Sequence, residues 1–393
     1  MMSISYEDYL GDSFDPQTGE FDSGKAKEQV NESKDKFNII LMGATGVGKS
    51  SLVNAFFGED IVKTGVGKPV TQHLQKVEVP SKGMTLWDTK GIESKDYKAT
   101  LEQLRHDLHQ ALKNANSLED LPHLGWLCID ASSSRIEDRD LELLSILNEN
   151  NIPAVVVFTK VIGKSRQPFI DEAQNLINSQ YKQFVSDRFV AVNSVPEEIS
   201  DEFIVPVKGL DTLLDLSLEC IPAGKKTAAS ALKKAQRVKN ELRRDAMIDS
   251  SKSKVHIAAG ASATVGASPI PGSDAPLIAA IQSKLIYEIN SEFEVDSSTS
   301  TSSSIIVGVL GITAVAQVAK TTVTTILKFI PGAGTIAGGI VSASTAFAFT
   351  EAIGHAYIKV MEHYFDLDSG TVKLPDNTDA VLDIFKTYFS YKK

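Results

Sequence analysis

The chain has 393 residues and a formal net charge of −10. A chain of this length accommodates two or three domains, each with its own core. The acidic balance argues against nucleic acid as the main partner. The only cysteines are Cys128 and Cys220, which excludes a disulfide framework or a thiolate metal site and is typical of a cytoplasmic environment.

Composition divides the chain into an acidic start and a patterned region. Residues 1–36 contain nine acidic and four basic residues without an apolar signal segment, which predicts a disordered acidic tail. From residue 37 to about 222, apolar runs alternate with amphipathic stretches, as in an α/β domain. The predicted strands are 37–42, 73–79, 83–88, 124–130, 153–159 and 187–192, and the predicted helices are 50–57, 97–115, 138–149, 168–181 and 207–220.

A glycine-rich loop follows the first predicted strand and fits the phosphate-binding pattern G-x-x-x-x-G-K-[ST]. Glycine allows backbone N–H groups to approach a polyphosphate closely. Lys49 is expected to place its charge on the β and γ phosphates, and Ser50 to offer its hydroxyl to Mg²⁺. The predicted nucleotide contacts here are Gly43, Ala44, Thr45, Gly46, Val47, Gly48, Lys49, Ser50 and Ser51.

Two further loops indicate a nucleotide-dependent switch. Thr71 lies in a Gly- and Pro-containing loop, where its hydroxyl and carbonyl can close on Mg²⁺ and the γ-phosphate; Thr64 is the competing candidate. Asp88 ends a predicted strand and can hold a Mg²⁺-bound water, while Gly91 can present its N–H to the γ-phosphate. The sequence therefore predicts a magnesium site formed by Ser50, Thr71 and Asp88, and catalytic roles for Lys49, Thr71 and Gly91.

With these motifs in this order, residues 37–222 resemble the Era-like, translation-factor-related GTPases of the small-GTPase-like superfamily. The resemblance implies a P-loop GTPase fold, which is α/β with a doubly wound, mostly parallel sheet. It also implies a guanine nucleotide, GTP or GDP, as the ligand and Mg²⁺ as the cofactor.

The resemblance further implies a base-recognition motif at the end of the fifth strand. Thr159 and Lys160 match this motif, but Ile162 occupies the aspartate position and has no atom that could accept hydrogen bonds from guanine. Asn193 and Ser194 loosely resemble the loop that supports the base. Guanine preference is thus an expectation from the resemblance, and competition by ATP remains open.

The residues expected to assist hydrolysis are also incomplete. Ile92 follows Gly91 at the position where a water-positioning glutamine is expected, and an apolar side chain cannot orient water. Glu93 is the nearest polar alternative, and Gly46 replaces the asparagine of potassium-assisted relatives. We therefore predict slow intrinsic GTP hydrolysis, accelerated by a nucleotide-dependent homodimer or by another partner.

From residue 223 the sequence predicts an all-α region. Residues 223–254 read as a basic linker helix, since Lys225–Lys254 holds ten basic residues against three acidic ones. Residues 255–365 read as a hairpin domain with two Pro-Gly turns, at Pro271 and Pro331. A tail with a short helix is predicted over residues 366–393.

The hairpin region raises the question of membrane association. Phe329–Thr350 is uncharged for 22 residues, although bulky apolar side chains are few there, so a soluble bundle is the alternative. Residues 225–365 resemble an uncharacterised helical hairpin domain fused to bacterial Era-like GTPases, and more loosely the immunity-related GTPases. This resemblance implies a membrane lipid or membrane protein as partner at the cytoplasmic face. The competing hypothesis is a soluble nucleotide-binding scaffold with little hydrolysis, whose helical half binds other proteins.

Overall fold

The computed structural model describes residues 4–58, 61, 66–69, 74–89, 97–115, 117–133, 135–200, 203–265, 274–296, 300–318 and 343–390. The chain divides into two compact units. One is Asp35–Arg243, called here the sheet unit, and the other combines Met1–Lys34 with Arg244–Lys393 and is called the helical unit. The segments around Thr71 and Gly91 and both predicted Pro-Gly turns lie outside the described residues.

The elements follow one another in this chain order. The helices are α1 Tyr6–Leu10, α2 Ser23–Glu32, α3 Lys49–Phe57, α4 Tyr97–Lys113, α5 Asp138–Glu149, α6 Gln167–Val185, α7 Leu210–Cys220, α8 Lys226–Ala235, α9 Asn240–Val265, α10 Asp274–Glu292, α11 Ser300–Val318, α12 Ala343–His363 and α13 Thr378–Ser390. The strands are β1 Phe37–Met42, β2 Val66–Pro69, β3 Leu74–Val79, β4 Met84–Thr89, β5 Leu124–Asp130, β6 Ala154–Thr159, β7 Phe189–Ala191, β8 Glu197–Ser200, β9 Phe203–Val205, β10 Phe365–Asp366 and β11 Thr371–Val372.

A seven-stranded sheet forms the centre of the sheet unit, in the order β2-β3-β4-β1-β5-β6-β7. The neighbouring pairs β4–β1, β1–β5, β5–β6 and β6–β7 are parallel. Strands β2 and β3 are antiparallel to their neighbours. Helices α3, α7 and α8 pack on one face and α4, α5 and α6 on the other. The structure confirms the predicted α/β fold with a doubly wound, mostly parallel sheet.

The central strands are apolar because both faces of the sheet are covered. Every residue of β1 and of β6 is buried, as expected for parallel strands between two helical layers. On the α3 face, the rings of Phe56 and Trp126 meet edge to face at 4.8 Å. This continuous burial explains why apolar runs in the sequence located these strands correctly.

A short hairpin separates the last strand of the sheet from α7. The predicted helix over 207–220 begins only at Leu210, and β8 and β9 pair antiparallel before it. Gly209 directly precedes α7 and allows the chain to turn into this helix. Its φ is +82°, and a Cβ there would lie 2.2 Å from the Ala191 carbonyl oxygen. The sequence did not reveal the hairpin because its strands are short and mostly exposed.

Residues 1–36 contain two helices where the sequence predicted a disordered acidic tail. The apolar side chains of α1 and α2 are buried with those of α10 in one core. Beside them, the Tyr9 hydroxyl donates to Glu288 Oε2 over 2.7 Å, and Lys284 Nζ donates to Gln29 Oε1 over 2.8 Å. A few buried apolar residues, with one buried and one partly buried hydrogen bond, therefore outweigh the acidic composition.

The predicted basic linker helix is two helices with a break at Gln236. The Gln236 side chain is buried, and its oxygen accepts from Val238 N and Lys239 N over 2.6 and 2.8 Å. Its nitrogen donates to the Lys233 and Lys239 carbonyls over 3.1 and 3.0 Å. The amide thus satisfies backbone groups that a continuous helix would pair, and α8 belongs to the core of the sheet unit.

The helical unit also includes the predicted C-terminal tail. Helix α13 packs against α11 and α12, with Phe385 and Phe389 buried and stacked at 5.4 Å. Among the residues that the structure describes, none of the helices has the length and apolar character needed to cross a membrane.

His123 provides a pH-dependent contact in the sheet unit. Its Nδ1 accepts a hydrogen bond from the Asn38 backbone N over 3.0 Å, and its ring stacks on Phe37. Burial and the charge of Lys225 lower the pKa of His123 to about 4. Because this folded-state pKa lies below the unfolded value of about 6.5, the contribution to stability is complete above pH 6.5 and is lost as the pH falls toward 4.

His123→Gln keeps a hydrogen-bond acceptor but does not titrate. We therefore expect this variant to lose about 3 kcal/mol less unfolding free energy than the wild type when the pH falls from 6.5 to 4. Tryptophan fluorescence during denaturation would measure it, since both tryptophans, Trp87 and Trp126, lie in the sheet unit. His106→Gln, on an exposed helical position, is the control. Equal pH slopes for the wild type and His123→Gln would contradict this account.

Candidate nucleotide-binding site

The predicted phosphate loop connects β1 to α3 and depends on glycine at its start. Gly43 has a φ of +145°, and a Cβ there would lie 2.4 Å from the backbone oxygen of Cys128. Gly46 and Gly48 also have positive φ values, of +78° and +96°. The loop therefore lies directly against β5, which a side chain at residue 43 would prevent.

The loop presents its backbone and one cation around a common centre. Helix α3 begins after Gly48 without a hydrogen bond from a capping side chain, so its first N–H groups remain for a ligand. Lys49 Nζ donates to the Gly43 and Ala44 carbonyls over 2.9 and 3.2 Å, which folds the side chain back across the loop. Ser50 lies exposed in the first turn of α3.

Asp88 lies beside this loop because β4 pairs with β1, with Leu41 opposite Asp88. Its Oδ1 is buried and has no hydrogen-bond partner among the described residues. Burial raises the pKa of Asp88, and the charge of Lys49 opposes that effect. The next residue, Thr89, donates its hydroxyl to the Leu41 carbonyl over 2.9 Å and so ties the ends of the two strands together.

The hydroxyl of Ser50 and the carboxylate of Asp88 are the hard oxygen donors that Mg²⁺ prefers. The unpartnered Asp88 oxygen is consistent with such a ligand. Within the described ranges, no group of three or more His, Cys, Asp or Glu side chains forms a metal site without other ligands. At nucleotide sites, phosphate oxygens of the ligand commonly complete the coordination of Mg²⁺.

The other end of the candidate site is formed by the ends of β5 and β6. The buried Thr159 hydroxyl contacts the Val47 and Ile129 carbonyls over 2.6 and 3.2 Å, which links the phosphate loop to both strands. Lys160 Nζ lies 2.7 Å from Asp130 Oδ2. Asp130 was missed by the sequence analysis; the available signal was a carboxylate at the end of an apolar strand.

The predicted base-supporting loop is held to the chain after β9 by hydrogen bonds of Asn193. Asn193 exchanges two backbone hydrogen bonds with Lys208, over 3.1 and 3.0 Å. Its side-chain nitrogen donates to the Pro206 carbonyl over 3.1 Å, so the amide anchors the chain that leaves β9. Ser194 follows as a half-buried residue, and Ile162 is half-buried near the end of β6.

The structure thus brings together the phosphate loop, Asp88, Thr159 and Lys160 at the carboxyl ends of neighbouring strands. This edge is where parallel α/β sheets bind ligands. Thr71 and Gly91, with the competing Thr64, lie outside the described residues, as do Ile92 and Glu93.

Comparison with known proteins shows which GTPases the sheet unit is similar to. Residues 38–160 match the family described as 50S ribosome-binding GTPase. A GTPase Der from Sulfurimonas denitrificans is 25% identical over 197 residues, covering 50% of this chain and 36% of that protein. The small ribosomal subunit biogenesis GTPase RsgA of Clostridium novyi is 38% identical over 86 residues, covering 19% of this chain and 29% of that protein.

A solved structure titled a probable GTP-binding protein engB has 19% sequence identity and a TM-score of 0.33, covering 47% of this chain and 97% of that chain. The present chain spans about a third of the length of the two curated relatives. The family match and the mostly parallel sheet give this part of the chain the fold of a P-loop GTPase domain. Its homologues include proteins named GTPase Der.

Gly43→Ala should disrupt the phosphate loop, because the added Cβ would overlap the Cys128 carbonyl and the φ of +145° disfavours a side chain. We expect a loss of about 1–3 kcal/mol in unfolding free energy and a strongly weakened affinity for a fluorescent guanine nucleotide. Gly163→Ala is the matched control, since a Cβ at that position would have no neighbouring atom within 4 Å. Unchanged nucleotide affinity in Gly43→Ala would refute this view of the loop.

Proposed function

We propose that this protein is a switch that binds GTP and hydrolyses it slowly to GDP and phosphate, and that its helical unit associates with a membrane surface. One observation supports GTP binding and hydrolysis. Lys49 is folded across a glycine loop, and the unpartnered Asp88 oxygen lies beside that loop. A cation and a carboxylate placed at the start of a helix suit a polyphosphate with a bound divalent ion.

In the proposed reaction, a water molecule attacks the γ-phosphate in line with the leaving β-phosphate. Lys49 neutralises charge on the phosphate oxygens, and the N–H groups at the start of α3 bind the same oxygens. Ser50, Thr71 and Asp88 would hold Mg²⁺, which supplies Lewis-acid stabilisation of the phosphates when bound. Gly91 N–H would orient the γ-phosphate.

The proposed slow rate follows from Ile92, which offers no hydrogen bond to the attacking water. A second copy of the chain, bound in a nucleotide-dependent homodimer, or another partner would then supply the missing group. No role for nucleic acid is proposed, in line with the net charge of −10.

Lys49→Ala should lower multiple-turnover phosphate release by about 100-fold, because it removes the cation from the transferring phosphate. Phosphate release with excess GTP is the measurement. Lys36→Ala is the control, since Lys36 forms an exposed ion pair with Asp120. Equal turnover in the wild type and Lys49→Ala would reject catalysis at this site.

The competing function is a nucleotide-binding scaffold that hydrolyses little, and Ile92 and Ile162 favour it. Tight GTP binding without turnover above the Lys49→Ala level would establish that function. Titration with fluorescent guanine and adenine nucleotides belongs to the same experiment, and equal affinities would reject GTP as the preferred ligand.

The membrane part of the proposal is supported by α11 in the helical unit. This helix of 19 residues contains no charged side chain, and Val307 on it is 70% exposed. An exposed apolar side chain such as Val307 can enter the boundary between lipid headgroups and acyl chains, while Ile305 and Val309 of the same helix are buried in the core of the helical unit. The predicted continuous basic helix is broken, and two of its lysines form ion pairs. Lys234 pairs with Asp35, and Lys239 pairs with Asp215.

Val307→Asp should reduce flotation with anionic vesicles several-fold, because a carboxylate would enter the interface in place of an apolar group. Flotation is measured with a GTP analogue, with GDP and without nucleotide. Val195→Asp, which changes a 51% exposed valine of the sheet unit, is the control. Negligible flotation of the wild type in all three states would remove the membrane part of the proposal.

A further inference from the structure

Lys160 has an unusual backbone conformation at the end of β6. Its φ is +56°, in the left-handed region that residues other than glycine rarely adopt. The other described residues with this feature and a side chain are Asn151, Ser186, Asp187 and Glu294, which lie in turns after helices. Such a conformation persists only where the surroundings hold it in place.

Three contacts hold Lys160 and its neighbours. The Thr159 carbonyl accepts from Ala131 N over 3.0 Å, and Val161 N donates to the Val192 carbonyl over 3.2 Å. The third contact is the ion pair between Lys160 Nζ and Asp130 Oδ2 at 2.7 Å. The backbone is thus tied to the ends of β5 and β7, and the side chain to β5.

Asp130 is itself fixed by the loop that follows β5. Its Oδ1 accepts from Ser132 N over 2.8 Å and from Ser132 Oγ over 2.6 Å, and its side chain is 18% exposed. Burial raises the pKa of Asp130, but the hydrogen bonds from Lys160 and Ser132 outweigh it and hold the pKa below its ordinary value. The carboxylate is therefore a rigid, charged anchor for the lysine.

The position of this pair relates it to the nucleoside part of a bound nucleotide. Thr159 contacts the phosphate loop, so Lys160 begins the segment that leads away from the phosphates. The other candidates for base contact are poorly suited to hydrogen bonding, since Ile162 is apolar and the Asn193 amide anchors the Pro206 carbonyl. A lysine stem held by its ammonium group offers an ordered apolar surface to a flat ring.

We infer that Asp130 is a positioning residue that fixes Lys160 as a platform for the nucleobase. This platform orders the base where Ile162 supplies no carboxylate to do so. This inference rests on the proposed nucleotide binding. The platform contacts the face of the ring and not its edge, so it strengthens binding of the nucleoside without selecting among purines.

The test compares nucleotide affinity with affinity for the phosphate chain alone. Asp130→Asn should weaken GDP binding about tenfold and leave binding of magnesium tripolyphosphate unchanged. Asp130→Glu should restore part of the loss, and Asp130→Asn should have no further effect on a Lys160→Met background. Asp120→Asn, which removes an exposed ion pair with Lys36, is the matched control.

Equal weakening of GDP and tripolyphosphate would overturn the inference, because Asp130 would then act on the whole fold or on the phosphate loop. Unchanged GDP affinity in Asp130→Asn, with the wild type binding GDP, would also overturn it and leave the proposed function intact. Wild-type protein that binds tripolyphosphate but no guanine nucleotide would instead overturn the proposed function and this inference with it.

Discussion

The hydroxyl of Thr159 is the contact on which the arrangement of the site depends. It joins the Val47 carbonyl of the phosphate loop to the Ile129 carbonyl of β5, and it lies at the end of β6. Because the group is buried, losing either partner would leave a polar atom without water to replace it. This one side chain therefore ties the phosphate loop to the ends of two central strands, which are themselves joined by their ladder and by the Asp130–Lys160 ion pair.

The parts of the fold that could be predicted from the sequence are those dominated by local pattern. Strands β1 and β6 are apolar at nearly every position because helices cover both faces, and the phosphate loop has a spacing set by chemistry. The N-terminal helices and the break at Gln236 depend on distant partners or on one buried amide, which composition does not express. Tertiary contacts decided these segments against their local tendencies.

The candidate site shows the same division. The phosphate loop was predicted because it directly follows a strand, and Asp88 because it lies at the end of one, with the two motifs in a recognisable order. Asp130 could not be paired with Lys160 in advance, since their contact joins two strand ends 30 residues apart. Asn193 shows the opposite case: a residue expected to support a base has its amide committed to the chain leaving β9.

The helical unit is assembled from residues on both sides of the sheet unit, so the sheet unit is an insertion within it. The ion pair of Asp35 with Lys234, at 3.0 Å, brings the start of the insertion close to a residue near its end. During synthesis, α1 and α2 must wait for about 240 residues, or roughly 12–48 s, before α10 emerges to bury them. A segment such as Tyr9–Leu10 is therefore exposed to chaperones and proteases until its distant partners appear.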